Sequence, residues 1–166
     1  MGGAEAAGAE VTFVHLADFE LPVFSVDLED RIGMHENARA FKKLMMEHGG
    51  FLIASPENNG SVTAALKNMV DWVSRGTDGN PGRAAFSGKF GAFLSASTGG
   101  FGGVRSLDHV RYLFGRLGVT VIPEMYPLAH AGKAIADDGS IADGKIRDSA
   151  RAVGRALAGA MMRAAG

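Results

Sequence analysis

A chain of 166 residues that is 46% hydrophobic and 21% charged has the size and composition of one globular domain able to bury a core. Its net charge of −1, with no cluster of Lys or Arg, argues against a nucleic-acid surface. The absence of cysteine excludes disulfides, iron–sulfur clusters and thiol catalysis, and fits a cytoplasmic setting.

No basic start followed by an apolar core marks a signal peptide, and no apolar run reaches the roughly 20 residues that span a bilayer. Residues 11–16 (Val-Thr-Phe-Val-His-Leu) are β-branched and apolar and predict a strand. Residues 18–22 form a loop. Residues 32–48 carry Ala38, Phe41, Leu44 and Met45 at helical offsets, and Gly49-Gly50 supplies the stop. Residues 50–55 predict a short strand apolar on both faces, as a central parallel strand would be. A Pro/Asn/Gly turn follows, then a helix over 62–74 with Leu66, Met69, Val70 and Val73 on one face. Residues 75–87 are rich in Gly, Asn and Pro and predict a surface loop. A third strand over 89–95 runs into the glycine-rich stretch 97–103, and a helix over 104–117 presents Leu107, Val110, Leu113 and Phe114 together. Residues 119–122 predict a fourth strand, ended by Pro123. A turn at 137–140 precedes a last helix from Asp143, with 151–166 fraying into a tail. Alternating strands and helices imply right-handed crossovers and a parallel sheet covered on both faces, in a single domain over 1–166.

The carboxyl end of a strand that opens through a tight turn into a helix is where open α/β sheets bind ligands. Ser55-Pro56-Glu57-Asn58-Asn59-Gly60-Ser61, continued by Leu66-Lys67-Asn68 and Asp71-Trp72, stands at such a corner. It resembles the P-E-Y-N-G-S…L-K-N…D-W signature of the NADPH-dependent FMN reductase family, which includes chromate and quinone reductases with a flavodoxin-like fold. Ser95-Ala96-Ser97-Thr98-Gly99-Gly100-Phe101-Gly102-Gly103 resembles that family's second corner, S-A-S-x-G-G-x-G-G. The resemblance implies a flavodoxin-like three-layer α/β/α sandwich with a parallel sheet. It begins at the family's second strand, with Gly8-Ala9-Glu10-Val11 and residues 18–22 matching that region. The family's opening strand, its G-S-x-R-x-x-S-x-N phosphate turn and its first helix have no counterpart in residues 1–10. A strand–helix unit takes roughly 30 residues, so the first strand is expected to be missing from this sheet.

By resemblance, cofactor binding falls on Pro56, Glu57, Asn58, Asn59, Gly60 and Ser61 in the first corner, with Asn58 standing where the family has Tyr. Ser97, Gly99, Gly100, Gly102 and Gly103 carry it in the second, where glycine lets backbone approach a flat ring. Arg105 and His109 lie four residues apart on the following helix. Other clusters read as structural. The five histidines have no metal-ligand spacing, and Ser61, Ser95 and Ser97 lack a partnered His–Asp set. Asp137, Asp138 and Asp143 do not have the spacing of a calcium loop. Lys67 and Asp71 form an i, i+4 pair, and Trp72 suits a core or a subunit interface.

The resemblance implies an FMN-dependent NAD(P)H oxidoreductase, with FMN and NADPH (or NADH) as cofactors and a flavin, quinone or similar small molecule as electron acceptor. No protein acid or base is obligatory in such chemistry, so no catalytic residue and no metal site is assigned. Family members are generally homodimers or homotetramers, and a homodimer through the helices at 67–72 and 105–114 is expected here. The alternative is a flavodoxin-like domain with weak or no FMN binding that acts as an interaction module, or an incomplete gene product.

Overall fold

Three apolar runs form the sheet in the computed structural model, which describes all of residues 1–166. Strands β1 (Gly50–Ala54), β2 (Phe90–Ala96) and β3 (Thr120–Leu128) lie in that order, and both pairings are parallel. In β2, the central strand, Ala92 and Phe93 are completely buried on opposite faces, because helices cover both sides. On one side stand α3 (Glu36–Glu47), α4 (Ala64–Val73) and α5 (Val104–Arg116). Their inward residues Met45, Leu66, Met69, Leu107 and Val110 join Phe93 in the main core cluster. On the other, α7 (Gly144–Ala165) packs Val153 and Leu157 against Ala92 and Ile122. Phe114 anchors the larger layer, with its ring centroid 5.4, 5.9 and 6.4 Å from those of Phe93, Phe86 and Phe51. Burying each such ring stabilises the fold by about 1.5–3 kcal/mol.

This is the three-layer α/β/α arrangement that the alternation implies, with one strand fewer than the four anticipated. Residues 11–15 form no strand and pair with nothing, Leu16 opens a short 3-10 helix (Leu16–Asp18), and Phe13 is 69% exposed. A strand needs a neighbour to take its backbone groups, and β1 pairs only with β2. Ahead of it, helix α1 (Gly2–Glu5) lies on α7, so close that a Cβ on Gly3 would sit 1.9 Å from the Arg151 carbonyl oxygen. Behind α1, the Thr12 hydroxyl meets His48 Nε2 at 2.9 Å. Strand β1 is consequently an edge strand, and the expectation that 50–55 is central fails.

Three smaller departures have local causes. The helix expected over 32–48 starts only at Glu36, as α3, because Gly33 ends a separate, unanticipated helix α2 (Val26–Ile32) with a φ of +69° and His35 starts α3 by accepting the Asn37 N–H on Nδ1 at 3.2 Å. Helix α2 itself starts where the Ser25 hydroxyl accepts the Leu28 N–H at 3.1 Å. Pro123 does not end β3: the register slips between Gly91 and Phe93, and the proline lies in that bulge on an edge strand, where no N–H is needed. A four-residue helix α6 (Ala131–Ala134) follows β3, and α7, started by the Asp143 carboxylate, then runs without fraying to Ala165.

Candidate functional site

Strands β1 and β2 are parallel neighbours, so their carboxyl ends open on one edge of the sheet and bring the two corners side by side. The first corner is tighter than a plain strand-to-helix turn. Asn58 and Ser61 exchange backbone hydrogen bonds of 3.1 and 3.0 Å around Asn59 (φ +51°) and Gly60 (φ +74°). That is a two-residue Asn-Gly turn with both central residues left-handed. Helix α4 begins only at Ala64, with its Leu66 N–H capped at 3.2 Å by the Thr63 hydroxyl. The second corner leaves β2 at Ala96 and enters α5 at Val104.

Two bridges lock the corners together. Glu57, with its side chain only 11% exposed, accepts the Ser106 N–H on Oε2 at 3.2 Å, and Arg105 Nη1 stands 3.5 Å from Oε1. A carboxylate in the first turn of α5 is also favoured by the positive end of the helix dipole. The Arg105 guanidinium lies 4.6 Å from the Phe101 ring centroid, and His109 Nδ1 lies 2.9 Å from Ser61 Oγ. Sequence reasoning assigned Glu57 and Ser61 to the site, noted Arg105 and His109 without giving them a role, and did not find Ser106. The i, i+4 spacing of Arg105 and His109 was the available signal.

The eleven sequence-predicted positions divide by environment. Pro56, Asn58 and Asn59 are exposed, as are Gly99 and Gly100, while Gly60, Ser61 and Ser97 are half-buried. Gly102 and Gly103 are buried against their own chain: a Cβ on Gly102 would lie 2.7 Å from Ala129 N, and one on Gly103 2.6 Å from Ser95 Oγ. Their lack of a side chain therefore serves internal packing rather than approach by a ring. Ser95 is spent on structure, donating from Oγ to the Gly102 carbonyl at 2.6 Å.

A planar, polar-edged ring such as isoalloxazine suits what remains. The backbone amides of Glu57, Asn59 and Gly60 in the first corner, and of Thr98, Gly100 and Phe101 in the second, have no acceptor within the protein. A phosphate does not find the same welcome. The one guanidinium between the corners, Arg105, is held by Glu57, and the N-termini of α4 and α5 are occupied by Thr63 and Glu57. The site thus fits the ring of FMN, and its one guanidinium is already engaged.

The second half of the signature is a strap. Asn68 accepts the Phe24 N–H on Oδ1 at 2.8 Å and donates from Nδ2 to the Pro22 carbonyl at 3.0 Å. Trp72, fully buried, donates from Nε1 to the same carbonyl at 2.8 Å. Lys67 pairs with Asp71 at 2.6 Å. Trp72 therefore belongs to the core and not to a subunit interface.

Comparison with known proteins gives one consistent picture. The profile of NADPH-dependent FMN reductases matches residues 1–133. A 2-hydroxy-1,4-benzoquinone reductase of a Burkholderia species is 35% identical over 123 residues, 73% of this chain and 63% of that protein. An NAD(P)H:quinone oxidoreductase of Solanum tuberosum is 36% identical over 153 residues, 90% of this chain and 74% of its own length. The chain spans just under two thirds of the length of some curated relatives, the Burkholderia protein among them. Among solved structures, FerB, a flavoenzyme NAD(P)H:(acceptor) oxidoreductase from Paracoccus denitrificans, aligns with a TM-score of 0.75 at 24% identity. That match covers 98% of this chain and 85% of FerB, and it shows a shared fold.

Proposed function

The chain belongs to the NADPH-dependent FMN reductase family, and from that premise we propose that it is an FMN-dependent NAD(P)H oxidoreductase reducing flavin, quinone or similar small acceptors. The observation that carries the reading is the pair of corners at the ends of β1 and β2, cross-tied by Glu57 and His109, with their outward amides unpartnered. FMN, when bound, supplies the chemistry, accepting hydride from the nicotinamide and passing reducing equivalents to the acceptor.

The protein's share is to bind and orient. Glu57, Asn59 and Gly60 offer backbone donors from the first corner, and Thr98, Gly100 and Phe101 from the second. Glu57 and Ser61 keep the two sets of donors at a fixed separation through α5, a preorganisation that spares the ordering cost at binding. Pro56, Asn58, Ser97 and Gly99 line the mouth between them, where a nicotinamide and then an acceptor take turns. Self-association as a homodimer through the outer faces of α4 and α5 belongs to this proposal, and Tyr112, 73% exposed, offers apolar surface there. No helix is long and apolar enough to cross a membrane.

The test is steady-state oxidation of NADPH and NADH by the purified protein with added FMN and a benzoquinone. Turnover that requires both protein and FMN supports the proposal, and turnover no faster than with free FMN refutes it. A second reading, a binding module holding flavin without turnover, is favoured by one observation: Arg105, the guanidinium between the corners, is already engaged by Glu57.

A further inference from the structure

The two corners carry a single aromatic side chain between them. Residues 55–61 contain none, and residues 95–103 contain only Phe101. Its ring is 66% exposed, although the backbone beneath it is firmly held. Gly102 and Gly103, the next two residues, are buried, and the Phe101 carbonyl accepts the Val104 N–H at 3.1 Å. Single exposed apolar side chains are ordinary. This one differs because a side chain of α5 orders it. The Arg105 guanidinium lies over the ring, 4.6 Å from its centroid. Arg105 is fixed in turn by the first corner: Nη1 stands 3.5 Å from Glu57 Oε1, and Cδ would lie 3.7 Å from a Cβ on Gly60. Glu57, Arg105 and Phe101 thus form one stack that reaches from the first corner to the second and leaves most of the ring open.

An open aromatic face on a fixed loop discriminates among ligands. Stacking stabilises a second flat ring, whereas a compact hydrated ion finds no partner there. The Gly100 and Phe101 amides at the same place are donors assigned to the flavin ring, so the aromatic side chain belongs to the mouth where nicotinamide and acceptor alternate. We propose that Phe101 is a specificity-determining residue: its ring is the shelf for a planar aromatic acceptor, a naphthoquinone for example, and Arg105 is the positioning residue that holds the shelf. The inference rests on the oxidoreductase reading of the site and adds to it a preference among acceptors. Hydride from NADPH and a proton from solvent convert such a quinone to its hydroquinone. Phe101 takes part in neither transfer and acts on binding alone. A dimer through α5 would bring a partner near the same ring, so the two uses need separate readouts.

NADPH oxidation by the FMN-supplemented protein is measured with menadione and with ferricyanide, an ion that cannot stack. The ratio of the two kcat/KM values is then compared across Phe101→Ala, Phe101→Trp and Arg105→Lys. Because the ratio is internal to each variant, a general loss of activity cancels. F101A should lower it by about fivefold or more, through the KM for menadione, and F101W should keep it within about twofold of the parent. R105K, which keeps the charge but not the flat guanidinium, should fall between them. Ligand-observed NMR titration of menadione without nicotinamide needs no turnover and should show F101A weaker by the same factor. A chain without cysteine offers the quinone no thiol to alkylate during that titration. Light scattering should give F101A the mass of the parent. The proposal is overturned by an unchanged ratio in F101A or R105K, by an F101W ratio as low as that of F101A, or by an unchanged menadione affinity. A change of mass accompanying the loss also overturns it, since the ring would then serve the interface. Absence of NADPH turnover in the parent refutes the oxidoreductase reading instead, and the NMR titration still decides for or against Phe101.

Discussion

Glu57 shows how one side chain can serve both architecture and site. Its carboxylate takes an N–H of α5 and faces Arg105, so it holds the first corner to the second across 48 and 49 residues of sequence. Glu57→Ala should destabilise the protein by about 1–3 kcal/mol, because the Ser106 N–H loses its acceptor in a half-buried setting. Glu57→Gln, which keeps an acceptor but not the charge, should cost less; urea unfolding of both variants checks the order. Lys42 makes a different prediction. It is almost wholly buried, donates to the carbonyls of Arg75 and Pro81, and burial holds its ammonium below the ordinary 10.5, with Asp78 partly offsetting. A lysine depressed in the folded state is protonated more readily in the unfolded chain, so stability should rise as pH climbs through the folded value toward 10.5. Urea midpoints followed as pH climbs toward 10.5 should show that rise in the parent and a smaller one in Lys42→Met, where Lys89, also depressed by burial, keeps its share. At this scale the sequence was legible wherever a residue's role is local. Asn59-Gly60 announces its turn, since those types tolerate a positive φ. Partnerships such as Glu57 with Ser106, or Trp72 with the Pro22 carbonyl, depend on which loops meet and leave no mark in spacing.

Among the elements, hydrophobic pattern located β1, β2, α4 and α5 to within two residues, because each buries a face whose period the sequence displays. It failed for residues 11–16, whose composition favours a strand but which pair with no neighbour. Propensity describes fit to a pleated surface and cannot supply the neighbour. It also stopped β3 too early, since the pattern cannot show that a register slip shelters Pro123. Pro123→Ala should therefore change stability by no more than about 0.5 kcal/mol, as the bulge needs no proline and demands no N–H. The strap over α4 is more demanding. Asn68→Ala deletes hydrogen bonds to Phe24 and Pro22 and should cost about 1–2 kcal/mol, with faster exchange over residues 21–24 as its signature.

For the molecule as a whole, two layers of helices enclose three strands, with one sheet edge open and one corner of the sheet furnished for a flat ligand. Exposed apolar groups at Tyr112 and Phe101 lie on the α5 side of that corner, and light scattering at micromolar concentration should report a dimer rather than a monomer. We propose that the corners grip a flavin by its ring and not by its phosphate. Fluorescence quenching of FMN and of riboflavin, titrated separately with the 166-residue protein, tests it most directly. Saturable quenching of both, with dissociation constants within about threefold of each other, is the predicted result. Quenching of neither, or a preference for FMN of about a hundredfold, would contradict it.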